Sequence, residues 1–500
     1  MSITPGRYRA LRALLIAGAA ACAPGGSSPV DRVAPTRPPN LVFIMADDLG
    51  YGDIEPYGQT RIRTPNLSRM AREGVRFTQF YSASTVCAPA RSSLMTGQHT
   101  GHTPIRGNRE VLPLGQEPLP AAAITVAEVL RQAGYVTGAF GKWGLGGPGT
   151  EGAPTRQGFD EFYGYLDQRR AHFYYPEFLF RGEQRETLPG NRVRPSEQAV
   201  GAGWALQRGI YSHDAIAREA LAFIDRNRHR PFFLYVPFTI PHAELQAPDD
   251  AYSPYVDAHG ESIFPETPYP GQHYGPQARP RATYAAMVTR MDRDVGRIID
   301  RLQELGLADK TYVFFTSDNG PHREGGHDPD FFDGNGPLRG DKRDLYEGGI
   351  RVPMLVWAPG RVPAGRTSNH VWTLWDALPT LAGLAGAPVP DHIDGLDMTN
   401  ALTGRAPAPQ HEFLYWEFHE QGGKQAVRQG DWKAVRLDLT SNPRTPIELY
   451  DLAVDPGEQR DVAAQHPRIV RDLEAIMIRE HTNSAVFPAL NGVGGTDRRR

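Results

Sequence analysis

Asn40-Leu41-Val42-Phe43-Ile44-Met45 is an almost unbroken apolar run, followed at once by Ala46-Asp47-Asp48-Leu49-Gly50. Apolar residues on both faces, without alternation, describe a strand covered on both sides, and the acidic turn ends it. Two further runs have the same character, PFFLYVP at 231–237 and TYVFFT at 311–316, with lighter ones at 76–81, 136–140 and 351–357. Between them lie stretches with helical periodicity, at 65–73, 121–133, 214–227, 283–305 and 372–385. Buried strands alternating with helices predict an α/β domain over 40–385, a large mostly parallel sheet sandwiched by helices. With 500 residues the chain exceeds what one ordinary core needs, so a second domain is expected. The pattern changes near Gly386: short strands at 414–418, 425–427, 432–437 and 448–451 precede one amphipathic helix at 466–481. Residues 386–500 are therefore expected to form a small antiparallel sheet with one packed helix. The Pro-, Tyr- and Gly-rich stretch 245–282 reads as a long loop of the kind that rims functional sites.

The formal charge is 54 − 57 = −3, too mild to imply nucleic acid as a partner. Arg7, Arg9 and Arg12 precede the short apolar run ALLIAGAAA at 13–21, which has signal-peptide length and is too short to span a bilayer. Cys22, directly after these small residues, resembles a bacterial lipobox. On that reading residues 1–21 are removed, Cys22 is lipidated, and residues 22–39 tether an exported protein of the periplasm or cell surface by a linker. Ordinary signal cleavage in the same stretch is the alternative. The chain has two cysteines, so a lipidated Cys22 leaves Cys87 without a disulfide partner.

Ligands of open parallel sheets collect beyond the carboxyl ends of the strands. Asp47-Asp48 follows the first run and Asp318-Asn319-Gly320 follows TYVFFT. Adjacent carboxylates and an amide oxygen suit a hard divalent cation, although each pair taken alone is more simply a turn or a helix cap. Cys87, taken alone, is a buried or reactive thiol near a helix start.

Cys87-Ala88-Pro89-Ala90-Arg91, extended by Leu94-Met95-Thr96-Gly97, resembles the signature of the formylglycine-dependent sulfatases. Further blocks resemble that family in the same order: Gly134-Tyr135-Val136-Thr137, Gly141-Lys142-Trp143, Pro241-His242, Ser317-Asp318-Asn319-Gly320, Arg339-Gly340-Asp341-Lys342 and Glu347-Gly348-Gly349-Ile350-Arg351. The resemblance implies an alkaline phosphatase-like fold and hydrolysis of sulfate monoesters. It implies that a formylglycine-generating enzyme oxidises Cys87, and that Asp47, Asp48, Asp318, Asn319 and residue 87 bind one calcium ion. Arg91, Lys142 and Lys342 would then hold the sulfuryl charge. The aldehyde hydrate at residue 87 would attack sulfur, His242 with Lys342 beside it would protonate the departing alcohol, and the second hydroxyl would expel sulfate.

One position departs from the family pattern, where Gly144 stands in place of a histidine thought to deprotonate that second hydroxyl. His172 is the expected substitute, with a substrate contact as its alternative role, and His99, His102 and His322 are weaker candidates. Two rivals remain, a phosphomonoesterase or phosphodiesterase of the same superfamily and a catalytically silent lipoprotein that binds sulfated glycans. The expected substrate is a sulfated carbohydrate, such as a galactose or N-acetylgalactosamine unit, with Phe173-Tyr174-Tyr175 and the tyrosines of 252–269 available to stack on sugar rings.

Overall fold

The computed structural model describes residues 37–112, 115–195, 203–488 and 490. The expected signal segment and Cys22 lie outside the described residues. Ten strands form the main sheet. Its centre is five parallel strands, in spatial order Thr311–Ser317, Asn40–Asp47, Phe232–Pro241, Val136–Lys142 and Glu161–Tyr165. Alternate residues of the first strand enter two different cores: Leu41, Phe43 and Met45 one, Val42, Ile44 and Ala46 the other. That division is why the sequence is apolar at every position rather than at every second one. Helices Pro65–Glu73, Ser212–Asn227 and Pro280–Glu304 cover one face, and Cys87–Thr96, Val126–Gln132 and Ala377–Ala385 cover the other.

The sheet is less uniform at its edges. The expected 351–357 strand begins at Met354 and runs antiparallel to Thr311–Ser317. The expected 76–81 strand divides into Val75–Phe77, in the main sheet, and Phe80–Tyr81, which pairs with Trp372–Thr373. The helix expected from 372 therefore begins only at Ala377, after a capping box between Thr373 and Asp376. Glu161–Tyr165 was not legible as a strand because Gly164 interrupts it. A Cβ there would lie 1.9 Å from the Gly141 carbonyl oxygen, so the glycine marks a close backbone approach.

The C-terminal strands Leu414–Phe418, Lys424–Gln429, Trp432–Arg436 and Glu448–Asp451 form an antiparallel meander, as expected. Helix Pro467–Arg479 packs Leu473, Ile476 and Met477 against one face of it. Trp416, Phe418, Ala426 and Val435, on the other face, join the main core. A fully buried ion triad bridges these parts: Lys433 Nζ lies 3.0 Å from Glu347 and 2.9 Å from Glu458. Removing that lysine would leave Glu458 without a cationic partner among the described residues and Glu347 with Arg351 alone.

Candidate active site

Strand register assembles the polar floor. Ala46 pairs with Ser317, and Asp47 pairs with Pro241 after an irregularity that follows Met45. Three central strands therefore end side by side, and Asp47-Asp48, Asp318-Asn319 and His242 emerge at the same level. Asp48 has a φ of 65°, in the left-handed region. In that conformation its N–H donates to Asp318 Oδ1 at 3.0 Å, while its own Oδ1 accepts from Asn319 Nδ2 at 2.7 Å.

Cys87 opens a helix in which every residue is buried, so the helix carries no polar stripe and its side chains serve the site and the core. Its Sγ lies 3.3 Å from Asp47 Oδ1 and 3.3 Å from Lys142 Nζ. Lys142, the last residue of its strand, donates to Asp47 Oδ2 at 2.7 Å. Arg91, one turn along the helix, donates to Asp318 Oδ2 at 2.7 Å and to the Lys142 carbonyl. Lys342 Nζ lies 2.7 Å from Asp48 Oδ2, 3.1 Å from His242 Nε2 and 3.4 Å from Glu324 Oε2.

The imidazole of His242 has a fixed tautomer. Its Nδ1 faces the Ala243 carbonyl, which can only accept, so Nδ1 carries the proton and Nε2 accepts from Lys342. The proton nearest the cavity therefore sits on the Lys342 ammonium. His172 stacks on His242 with ring centroids 4.7 Å apart and planes 13° apart.

Burial and neighbouring charge set the protonation states. Burial, reinforced by the Asp318 carboxylate, pushes Asp47 up to about 7 against the pull of Lys142 and Arg91. Burial would also raise Asp48, but Lys342, His322 and Lys142 together hold it well below the usual carboxylate range. Burial and then Asp47 push the Cys87 thiol well up. Burial opposes charge on Lys142 and Lys342, yet Asp47 and Asp48 respectively keep both ammoniums charged. Burial, then the lysines, hold His172 and His242 well below the ordinary imidazole value, so both are neutral near pH 7.

The floor fits a hard cation. Donor atoms of Asp47, Asp48 and Cys87, with His242 alongside, fall within 4.8 Å of one another. Asp318 adds a third buried carboxylate, and Asn319 Oδ1 is buried without a hydrogen-bond partner. Crowded carboxylates and an orphaned amide oxygen are both satisfied by a divalent ion that prefers oxygen ligands.

Above the floor is a cavity of about 300 Å³, bounded by Cys87, His172, His242 and Lys342 among others. Cys87, Arg91, Lys142, His172, His242 and Lys342 thus converge on this place, with Asp47, Asp48, Asp318 and Asn319 as its base. His322 lies behind His242, its Nε2 facing the Pro241 carbonyl. His99 and His102 are elsewhere, bonded or close to Asp394 and Glu480. Sequence reasoning missed Glu324, Asn108 and Gln168. Asn108 Oδ1 accepts from the backbone N–H of Ala88 at 3.0 Å, fixing the turn that presents Cys87. Gln168 occupies the space in front of Gly144, where a Cβ would lie 3.3–3.4 Å from its side-chain atoms. No local signal in the sequence pairs these positions.

The family model for sulfatases matches residues 39–387, which contain every one of these floor residues. The chain belongs to the sulfatase family. A second model, the C-terminal region of N-sulphoglucosamine sulphohydrolase, matches residues 339–482. Human arylsulfatase A is 33% identical over 89% of this chain and 88% of its own length. N-acetylgalactosamine-6-sulfatase of Canis lupus familiaris is 34% identical, with coverages of 91% and 88%. Among solved structures, Ps i-CgsB in complex with k-i-k-neocarrahexaose aligns with a TM-score of 0.72 at 30% identity, covering 88% of this chain and 92% of that one. This sulfatase is a hydrolase of sulfate esters with the alkaline phosphatase-like fold, as the signature around Cys87 implied.

Proposed function

We propose that this sulfatase cleaves sulfate monoesters of carbohydrates, using formylglycine generated from Cys87 and one calcium ion. The observation that carries the reading is the position of Cys87 Sγ, seated between Asp47 and Lys142 at the floor with Arg91 one turn below. A hydrated aldehyde at that position supplies both the attacking oxygen and the hydroxyl that later expels sulfate. Asp47, Asp48, Asp318 and Asn319 would hold the calcium ion with residue 87, and the ion would polarise the sulfuryl oxygens.

The remaining roles belong to side chains present in the chain. Lys142 and Lys342 flank the thiol position and hold the anionic sulfate, while Arg91 neutralises Asp318 and Asp47 from beneath. The proton for the departing alcohol comes from the Lys342–His242 pair, with Lys342 as its immediate holder. His172, neutral and at the cavity wall, is the base we assign to the step that frees sulfate, in the absence of a side chain at Gly144.

The carbohydrate assignment draws support from the relatives, one named N-acetylgalactosamine-6-sulfatase and one solved in complex with k-i-k-neocarrahexaose. Sulfated galactose or N-acetylgalactosamine is accordingly the first substrate class to assay. The basic and apolar N-terminal sequence, with Cys22 at its end, supports export of the protein as a lipid-anchored enzyme of the periplasm or cell surface. A phosphonate monoester hydrolase shares the fold at 21% identity, so the reading needs a direct comparison of esters. Protein co-expressed with a formylglycine-generating enzyme should release sulfate from sulfated galactose or N-acetylgalactosamine and carry formylglycine at residue 87 by peptide mass spectrometry. Phosphate release from the matched phosphate esters at equal or higher rate would overturn the proposal.

A further inference from the structure

Lys342 is the second residue of a tight turn. The Asp344 N–H donates to the Asp341 carbonyl at 2.9 Å and closes a four-residue turn over 341–344. Arg343, at the third position, has a φ of 78°. A type II turn requires that sign there, and glycine or asparagine normally supplies it, because a larger side chain is disfavoured in the left-handed region. An arginine stays in that conformation only where its surroundings over-determine the backbone.

The surroundings do so from three directions. The Lys342 N–H donates to the Pro321 carbonyl at 2.8 Å. The Arg343 N–H donates at 3.0 Å to the carbonyl of Thr85, two residues before Cys87, so a backbone bond ties the turn to the segment that presents the nucleophile. The Arg343 carbonyl accepts from Lys424 Nζ at 2.6 Å, and the same ammonium lies 3.2 Å from Asp344 Oδ1. Lys424 belongs to the C-terminal sheet, where it opens the strand Lys424–Gln429, pairs with Phe418 and is only 8% exposed. Glu420, in the same hairpin, accepts the Asn108 N–H at 2.8 Å. One hairpin therefore braces both the turn that carries Lys342 and, through Asn108, the turn that presents Cys87.

If Arg343 relaxed to a negative φ, the peptide between Lys342 and Arg343 would turn over and its N–H would leave the Thr85 carbonyl. The Lys342 side chain would then lose its place 2.7 Å from Asp48 and 3.1 Å from His242. Lys424 does not line the cavity, so its influence on turnover passes through this turn.

We propose that Lys424 is a positioning residue for catalysis: by holding the Arg343 carbonyl it fixes the left-handed turn that sets Lys342 beside Asp48 and His242. The proposal rests on the sulfatase reading above and adds to it a residue of the C-terminal sheet.

The test is a double-mutant cycle in the matured full-length enzyme, with Lys424→Met, Lys342→Ala and the two combined. Each is assayed by kcat/KM on 4-nitrophenyl sulfate and on 4-methoxyphenyl sulfate, whose alcohol leaves less readily and needs its proton more. Lys424→Met alone should lose about tenfold on the methoxyphenyl ester and less on the nitrophenyl ester, part of what a general acid contributes. In the Lys342→Ala background the same substitution should cost less than about twofold, because the group it positions is gone. Lys424→Arg, which still donates to the carbonyl, should restore the native rate to within about threefold. Equal losses in both backgrounds, or no loss in the native one, overturn the proposal. If Lys424→Met does not fold, Lys424→Gln enters the same cycle. The crystal structure of the variant gives a readout without turnover: Lys342 Nζ should have left Asp48, and an unchanged turn overturns the proposal. Formylglycine-bearing enzyme that hydrolyses neither ester nor any sulfated sugar would count against the reaction instead, and the structure of the variant would still decide the role of Lys424.

Discussion

The two ends of the active-site cavity are built by opposite means. The floor is set by strand register: Asp47, His242 and Asp318 stand level because three parallel strands end together, and Lys142 closes a fourth. Its side chains are buried, and each touches at least one other member of the group. The mouth is a meeting of loops from distant parts of the chain, with Glu110, Arg169 and Tyr274 from the main domain and Glu420 from the first hairpin of the C-terminal sheet. The difference teaches which part is free to change. Moving one floor residue disturbs a sheet, whereas moving a mouth residue disturbs one loop. Reaction class is therefore held by the sheet and substrate by the loops.

If the floor works as one unit, damage to it should be severe and should not depend on the substrate. Cys87→Ala has the largest expected effect, a loss on the order of a thousandfold or more in kcat for every sulfate ester, measured by sulfate release. Comparable rates from this variant would end the formylglycine reading. Asp318→Ala comes next. It removes a carboxylate that accepts from Asp48 N and pairs with Arg91, so bound calcium should fall below stoichiometric by elemental analysis and turnover should drop about a hundredfold. A variant that keeps its calcium and loses only rate would separate Asp318 from the ion.

His172 lies on the boundary between the two ends, stacked on His242 yet part of the wall. His172→Ala should slow the step that frees sulfate, so alcohol should appear in a burst ahead of sulfate when both are followed after rapid mixing, with a steady rate lowered about ten- to a hundredfold. A raised KM without a burst would make His172 a mouth residue that contacts substrate.

What was legible in the sequence follows the same division. Asp47-Asp48, Cys87 to Arg91 and Asp318-Asn319 lie in short local blocks whose spacing is fixed by the end of one strand or the first turn of one helix. The fully apolar strands announced the two-faced sheet for the same reason. The Glu161–Tyr165 strand was hidden because Gly164 answers to Gly141 on a neighbouring strand, a contact with no local trace. The mouth was hidden in the same way. Nothing near Gly144 points to Gln168, and nothing near Asn108 points to Glu420. Tertiary contact alone decided them.

The mildest prediction concerns how the mouth is held. Glu244 is 2% exposed, and its Oε1 accepts the Gly275 N–H at 2.6 Å, next to Tyr274. A Cβ at Gly275 would lie 2.1 Å from that oxygen, so the loop and the carboxyl are in close contact. Burial pushes Glu244 from 4.5 up to about 8, opposed by the Gly275 N–H and by Arg208. Because the folded value is above the unfolded one, the native state keeps a proton that the unfolded chain releases. The stability this gives is present below about pH 4.5 and is lost as pH rises toward 8, where the buried group must ionise. The loop bearing Tyr274 should therefore loosen across that window, raising KM about two- to threefold by pH 8.5. Glu244→Gln keeps an oxygen acceptor for Gly275 and cannot ionise, so the KM profile of this variant should be flat over the same range. Its melting temperature should fall less than that of the native enzyme between pH 5 and pH 8.5. If the variant instead reproduces the native KM profile, the pH response belongs to the floor, and the mouth is not held by the protonation of Glu244.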